Sequence, residues 1–238
     1  MRRAIVIGAS SGIGRELAVV LSQNGFAVGL MARRLELLED LRNSLKGPAF
    51  SRPADISDSS TAMTVLDDLI AEMGGVDLVV ISSGTGFINP ELDWAMEKTT
   101  LDVNVGGFTA MANVAFRHFV QAGGGHLVGI SSIAAIRGSA TAPAYNASKA
   151  FMSNYLEGLR VRARKAGLAI VVSDIQPGFV DTAMAQGPGV FWAAAPQTAA
   201  RQIYKAIQRK AKHAYITKRW SVIGWLLRVL PDFLYAKL

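Results

Sequence analysis

At 238 residues, half of them hydrophobic, the chain is long enough to bury one sizeable core, and its 23 glycines and even composition exclude a disordered or repetitive polymer. The absence of cysteine excludes disulfides and thiolate metal sites and suits a reducing, cytoplasmic setting. The net charge of +7 is uneven: residues 1–200 carry 16 Lys/Arg against 17 Asp/Glu, and residues 201–238 carry 9 against 1, which argues for a basic tail and against an extended nucleic-acid-binding surface.

In chain order, short Val/Ile-rich runs alternate with amphipathic stretches. The runs Ala4–Ile7, Ala27–Met31, Leu78–Ile81, His126–Ile130, Ala169–Ser173 and Ala214–Thr217 predict strands, and a further strand is expected to close at Asp55-Ile56. Ala4–Ile7 ends at Gly8, too short for a signal-peptide core. Helices are predicted to start near Ile13, Leu35, Ser57, Glu91, Tyr145 and Pro196. That alternation implies an α/β fold: a Rossmann-like, doubly wound parallel sheet of about seven strands with helices on both faces. Residues 1–217 would form the single domain, and 218–238 an added amphipathic C-terminal helix. Ligands in such sheets sit at the carboxyl ends of the strands. The Gly/Ala/Pro-rich stretch from Gly178 to Ala195 is expected to act as a flap over that edge.

Gly8-Ala9-Ser10-Ser11-Gly12-Ile13-Gly14 follows the first strand and runs into helical sequence. Glycines there let the backbone approach a pyrophosphate at a helix N-terminus, so the segment predicts a dinucleotide site. Proteins that select NAD place an acidic residue at the end of the second strand for the ribose hydroxyls. Here that place is held by Arg33 and Arg34, which suit the 2′-phosphate of NADP(H) or simply begin a solvated helix. Asp55 and Ile56 are expected to meet the adenine. The Ser82-Ser83-Gly84 turn should offer close backbone, and Pro177, Gly178, Val180 and Thr182 should cover the nicotinamide end.

Ser131-Ser132 ends the strand at Ile130, and 13 residues after Ser132 stands Tyr145, with Lys149 one helical turn on. A cation beside a phenol favours the phenolate, which is what proton transfer to or from a carbonyl oxygen needs. His118, His126 and His213 are scattered without carboxylate companions, so structural roles and no metal site are expected.

Together these ordered motifs resemble the short-chain dehydrogenase/reductase superfamily over about residues 3–217. The resemblance implies Tyr145 as general acid/base, Ser132 as donor to the substrate oxygen, Lys149 as the group that lowers the tyrosine pKa and holds the ribose, and Asn104 as holder of a water near Lys149. It implies Thr182 at the nicotinamide carboxamide, and a homodimer or homotetramer. Two segments depart from the family pattern: Ile7 stands where threonine is usual, and Ile81-Ser82-Ser83-Gly84 replaces Asn-Asn-Ala-Gly. The implied reaction is reversible, NADP(H)-dependent reduction of a ketone to a secondary alcohol. A non-catalytic NADP(H)-binding redox sensor is the alternative.

Residues expected near the reacting carbon are Gly86, Phe87, Ala134, Ile136, Gly138, Phe179, Met184, Phe191 and Trp192, with Arg137 as the one basic group. Such an apolar set favours a hydrophobic ketone over a sugar or small acid. The tail repeats Trp220, Ile223, Leu227, Leu230 and Leu234 at helical spacing, with Val222, Trp225, Leu226, Val229 and Phe233 widening the apolar face. Arg228, Pro231 and Asp232 interrupt it too soon for a membrane span. It could lie on an anionic membrane, dock on a partner subunit, or cover the substrate cleft. The tail and the Ser82–Phe87 turn resemble a bacterial branch of the superfamily, which suggests a 3-keto lipid such as a 3-ketosphinganine-like or 3-ketoacyl compound. A smaller ketone or a steroid-like substrate is the alternative.

Overall fold

The structure, a computed structural model, describes residues 1–182 and 191–236. Seven parallel strands form one sheet: β1 (Arg2–Ile7), β2 (Phe26–Ala32), β3 (Ala49–Pro53), β4 (Leu78–Ile81), β5 (Gly125–Ile130), β6 (Ile170–Pro177) and β7 (His213–Ile216). Their spatial order is β3-β2-β1-β4-β5-β6-β7. Because residues alternate across a strand, Ile5 and Ile7 of β1 enter one core while Ala4 and Val6 enter the other. Both faces are therefore buried, which is why the strands read as near-continuous apolar runs.

One face is covered by α3 (Ser59–Glu72), α5 (Phe108–Gln121) and α6 (Pro143–Lys165), the other by α1 (Gly12–Gln23), α2 (Leu35–Ser44) and α7 (Pro196–Gln208). A short α4 (Trp94–Leu101) runs through a π-helical turn, Asp102–Gly107, into α5. The strand order reverses between β1 and β4, so a crevice opens at their carboxyl ends.

Several predicted boundaries shift for identifiable reasons. α3 and α4 start at Ser59 and Trp94, not near Ser57 and Glu91, because Asp58 and Asp93 accept from the Thr61 and Ala95 amides as caps. α6 starts at Pro143, ahead of Tyr145, with the proline in its first turn. β3 ends at Pro53 before Asp55, whose carboxylate accepts from Ser57 N at 3.0 Å in a turn. The apolar run of β6 stops at Ser173, but the strand continues to the Pro177-Gly178 stop: Asp174 and Gln176 interrupt the apolar pattern, yet both are buried. No separate start for α5 was legible, because Gly106-Gly107 and the π turn precede it.

The C-terminal segment forms α8 (Trp220–Val229) and the short α9 (Asp232–Tyr235), divided at Pro231. The predicted stripe is the inward one only at its start, where Trp220 is buried; Ile223, Leu227 and Leu230 are half-buried and Leu234 is exposed. Val222, Trp225, Leu226 and Val229 face outward.

Candidate active site

At the end of β1 the chain turns through Gly8, whose φ of +91° favours glycine and whose amide donates to Met31 O at 2.7 Å. A Cβ on Gly8 would lie 2.5 Å from Ser83 N, so the β1 and β4 ends meet backbone to backbone at the crevice. Ser11 stands at the N-cap of α1 in extended conformation without a side-chain cap bond, which leaves first-turn donors for a ligand. Gly14 presses on Gly8, and Gly12 lies under Thr182, whose Cγ2 would be 3.1 Å from an added Cβ. Ile13 packs, half-buried, on the core beneath α1. This is a cradle that side chains would fill, with close backbone and free helix N-terminal donors of the kind that receive a phosphate.

Arg34 reaches across from the end of β2, and one guanidinium nitrogen donates to Ser10 Oγ and Ser11 Oγ at 2.9 and 3.0 Å. Arg33 points instead to Asp55, with Nη1 3.7 Å from Oδ2 and its side chain 72% exposed. Ile56 is buried against Gly107 in the core. The two arginines thus divide between the glycine loop and the Asp55 side of the cradle.

On the other side of the crevice, Tyr145 and Lys149 share the inner face of α6. Lys149 is buried, with Nζ donating to Ile130 O at 3.2 Å and lying 5.8 Å from the Tyr145 ring centroid. Burial holds the ammonium down at about 8, against which the nearby Asp174 carboxylate works. The Tyr145 phenol is raised by burial and opposed by a hydrogen bond with Ser132. The resemblance implied that Lys149 lowers this phenol; here burial outweighs the opposing effects, and the group that opposes it is Ser132. Ser132 Oγ also accepts from Ala134 N at 3.1 Å, which caps the 3₁₀ turn Ile133–Ile136 and fixes the hydroxyl at the end of β5.

Asn104 sits fully buried in the π turn, whose extra residue turns it back toward β4. Its Oδ1 accepts from Thr85 N at 2.9 Å, and its Nδ2 donates to Thr85 O and Ser148 Oγ at 2.7 and 2.9 Å. A Cβ on Gly84 would lie 3.1 Å from Lys149 Nζ and 3.4 Å from Asn104 Oδ1, so the β4 turn, α6 and the π turn converge on one point. Gly86 backs the Tyr145 ring, with an added Cβ only 2.3 Å from Cδ2.

Behind Lys149 lies a polar seam that the sequence did not suggest. Buried Asp174 accepts from Ser131 Oγ and, at 3.0 Å, from Gln176 Nε2, which also donates to Ser153 Oγ at 3.0 Å. Ser153 follows Lys149 by one helical turn, and Asp174 and Gln176 share a strand face. Those two spacings were the available signal. Asp174, Gln176, His213 and Arg228 line a cavity of about 370 Å³ beside this seam. His118 accepts from Val76 N, and His126 pairs with Ser173.

Of the expected cover, Gly178 follows β6 and donates from its amide to Ile216 O. A Cβ there would lie 2.0 Å from Trp220, so the glycine admits the first residue of α8 against the strand end. Val180 is buried and bridges to Ala194. Phe179 meets Phe191 and Trp220 edge to face at centroid distances of 5.7 and 5.5 Å. Met184 lies outside the described residues. Arg137 is held by the tail: it pairs with Asp232, donates to Leu230 O at 3.3 Å and lies over the Tyr235 ring. Ile136 and Gly138 line a separate hollow with Ala147 and Ala150 that includes none of Ser132, Tyr145 or Lys149.

Residues 2–189 match the family model described as short chain dehydrogenase. An uncharacterized oxidoreductase of Myxococcus xanthus is 40% identical over 184 residues, covering 75% of this chain and 72% of that protein. One from Staphylococcus epidermidis is 31% identical over 186 residues, covering 77% and 80%. Among solved structures, an alcohol dehydrogenase from the archaeon Thermococcus sibiricus complexed with 5-hydroxy-NADP superposes with a TM-score of 0.80 at 20% identity, covering 91% of this chain and 96% of that one. A variant of actinorhodin polyketide ketoreductase with NADPH gives 0.78 at 23% identity, covering 90% and 95%.

Proposed function

The chain belongs to the short-chain dehydrogenase family and is an oxidoreductase of it, and from that premise we propose that it uses NADP(H) to interconvert a hydrophobic ketone and its secondary alcohol. The observation that carries this reading is the convergence of Ser132, Tyr145 and Lys149 beside a glycine cradle at the carboxyl edge of the sheet. Gly8, Gly12, Gly14, Ser83 and Gly84 would admit the dinucleotide, and Thr182, Val180 and Pro177-Gly178 would border its nicotinamide, which supplies hydride when bound. Ser132 would orient the carbonyl oxygen, Tyr145 would deliver its phenolic proton to that oxygen, and the phenolate would regain a proton from solvent by way of Lys149. Asn104 holds the Thr85 backbone and Ser148 in place around Lys149. NADP(H) over NAD(H) rests on Arg33 and Arg34, two cations where a carboxylate would repel a 2′-phosphate. The choice of a 3-keto lipid, such as a 3-ketosphinganine-like or 3-ketoacyl compound, is supported by exposed Phe87 beside Gly86 and by the Phe179–Phe191–Trp192 cluster after β6.

An NADPH-oxidation screen over ketones graded by chain length tests this. Rates should rise with chain length and favour NADPH over NADH, and Arg34→Ala should raise the KM for NADPH about tenfold while leaving that for NADH little changed. A preference for short polar ketones would overturn the substrate assignment, and equal use of NADH would overturn the cofactor assignment.

A pH profile tests the seam behind Lys149. The ammonium must stay charged to return a proton, so kcat/KM for NADPH should fall on the alkaline side near pH 8. The Asp174 carboxylate favours the charged form, so Asp174→Asn should move that limb to lower pH. A folded variant with an unmoved limb would remove Asp174 from any positioning role.

A further inference from the structure

The outer face of α8 has no partner among the described residues. Val222, Trp225, Leu226 and Val229 are exposed on one face, and Phe233 of α9 is 68% exposed. Soluble chains do not keep contiguous large apolar side chains in water without use for them. No helix among the described residues is long and apolar enough to cross a membrane.

We propose that this face docks on the surface of an anionic lipid bilayer and holds the mouth of the active site at the membrane. The argument for lipid over a second copy is charge. Lys218, Arg219 and Arg228 are exposed on α8 or just before it, and the one acidic residue of this segment, Asp232, is paired with Arg137. Two copies packed face to face would bring those cations together, whereas acidic headgroups neutralise them. An exposed tryptophan among leucine and valine, flanked by basic residues, is the composition of a helix seated at the headgroup level.

The tail is also tied to the site. Asp232 pairs with Arg137 and Tyr235 donates to Gly138 O, both in the loop between Ser132 and Tyr145. Thr141 O in that loop accepts from Asn89 N, beside exposed Phe87 and Ile88. On the other side, Arg219 donates to Trp192 O and lies over its ring. The tail is thus bonded to both borders of the crevice, and on this proposal docking holds that edge of the sheet at the bilayer, where a lipid-soluble ketone is concentrated. That delivery role rests on the hydrophobic-ketone reading above; the docking itself does not.

The test is co-sedimentation of the full chain with phosphatidylcholine vesicles, with and without phosphatidylglycerol, alongside NADPH oxidation with a water-soluble ketone. Binding should require phosphatidylglycerol, weaken with salt, and weaken roughly fivefold in Lys218→Ala, the loss of one basic residue near the surface. The double variant Trp225→Asp/Val229→Asp should abolish it while turnover of the soluble ketone persists, which shows that the variant folds. No binding by the wild-type chain overturns the proposal, even if ketone reduction is vigorous. So does binding that survives the double variant, or a double variant that loses only an oligomeric contact seen by size-exclusion chromatography without vesicles.

Discussion

Tyr145→Phe is expected to lower NADPH-dependent ketone reduction by about 10³-fold, within the 10²–10⁴ range that positioned proton donors contribute. The substitution removes one oxygen and keeps the ring, which Gly86 backs and Lys149 approaches, so the pocket keeps its shape. Titration of NADPH by its fluorescence should therefore be unchanged, and the loss should fall on kcat with KM little altered. Turnover that survives the change would remove Tyr145 from the mechanism. The phenol is raised by burial, so near neutral pH it is protonated and ready to give a proton. Alcohol oxidation needs the phenolate and should rise with pH until Lys149 loses its charge.

The second large effect is expected from Gly14→Ala. A Cβ there would lie 2.2 Å from Gly8 O and 2.9 Å from Gly8 C, and both are backbone atoms that no rotamer change can move aside. Overpacking of this kind costs about 1–3 kcal/mol, more when backbone must shift. Because the strain falls on the glycine loop, NADPH affinity should drop at least tenfold, together with a fall in Tm. Gly158→Ala is the control: it lies exposed within α6, its Cβ would meet nothing within 4 Å, and it should stabilise the chain by about 0.5–1 kcal/mol. Equal behaviour of the two variants would show that the Gly8–Gly14 contact is not what shapes the loop.

The features legible from sequence were those whose physics is local. Tyr145 and Lys149 share a helix face because they are four residues apart, and Gly8 to Gly14 cluster because a strand, a tight turn and a helix start follow one another within a few residues. The strands announce themselves because both faces are buried and most positions are apolar. Where polar residues carry tertiary work, that signal misleads. Asp174 and Gln176 lie inside β6, although the apolar run stops before them.

Tertiary structure alone decided the rest, because it depends on residues distant in the chain. Ser131 meets Asp174 across 43 positions, and through that seam a carboxylate comes to act on Lys149. Arg137, which sequence offered as a substrate-binding cation, is taken up by Asp232, 95 positions on. The basic, apolar character of the last residues is a matter of composition and was visible from the start. Which side of that helix stays free follows from Gly178, whose missing side chain lets Trp220 pack on the strand end and so turns Trp225 and Val229 outward.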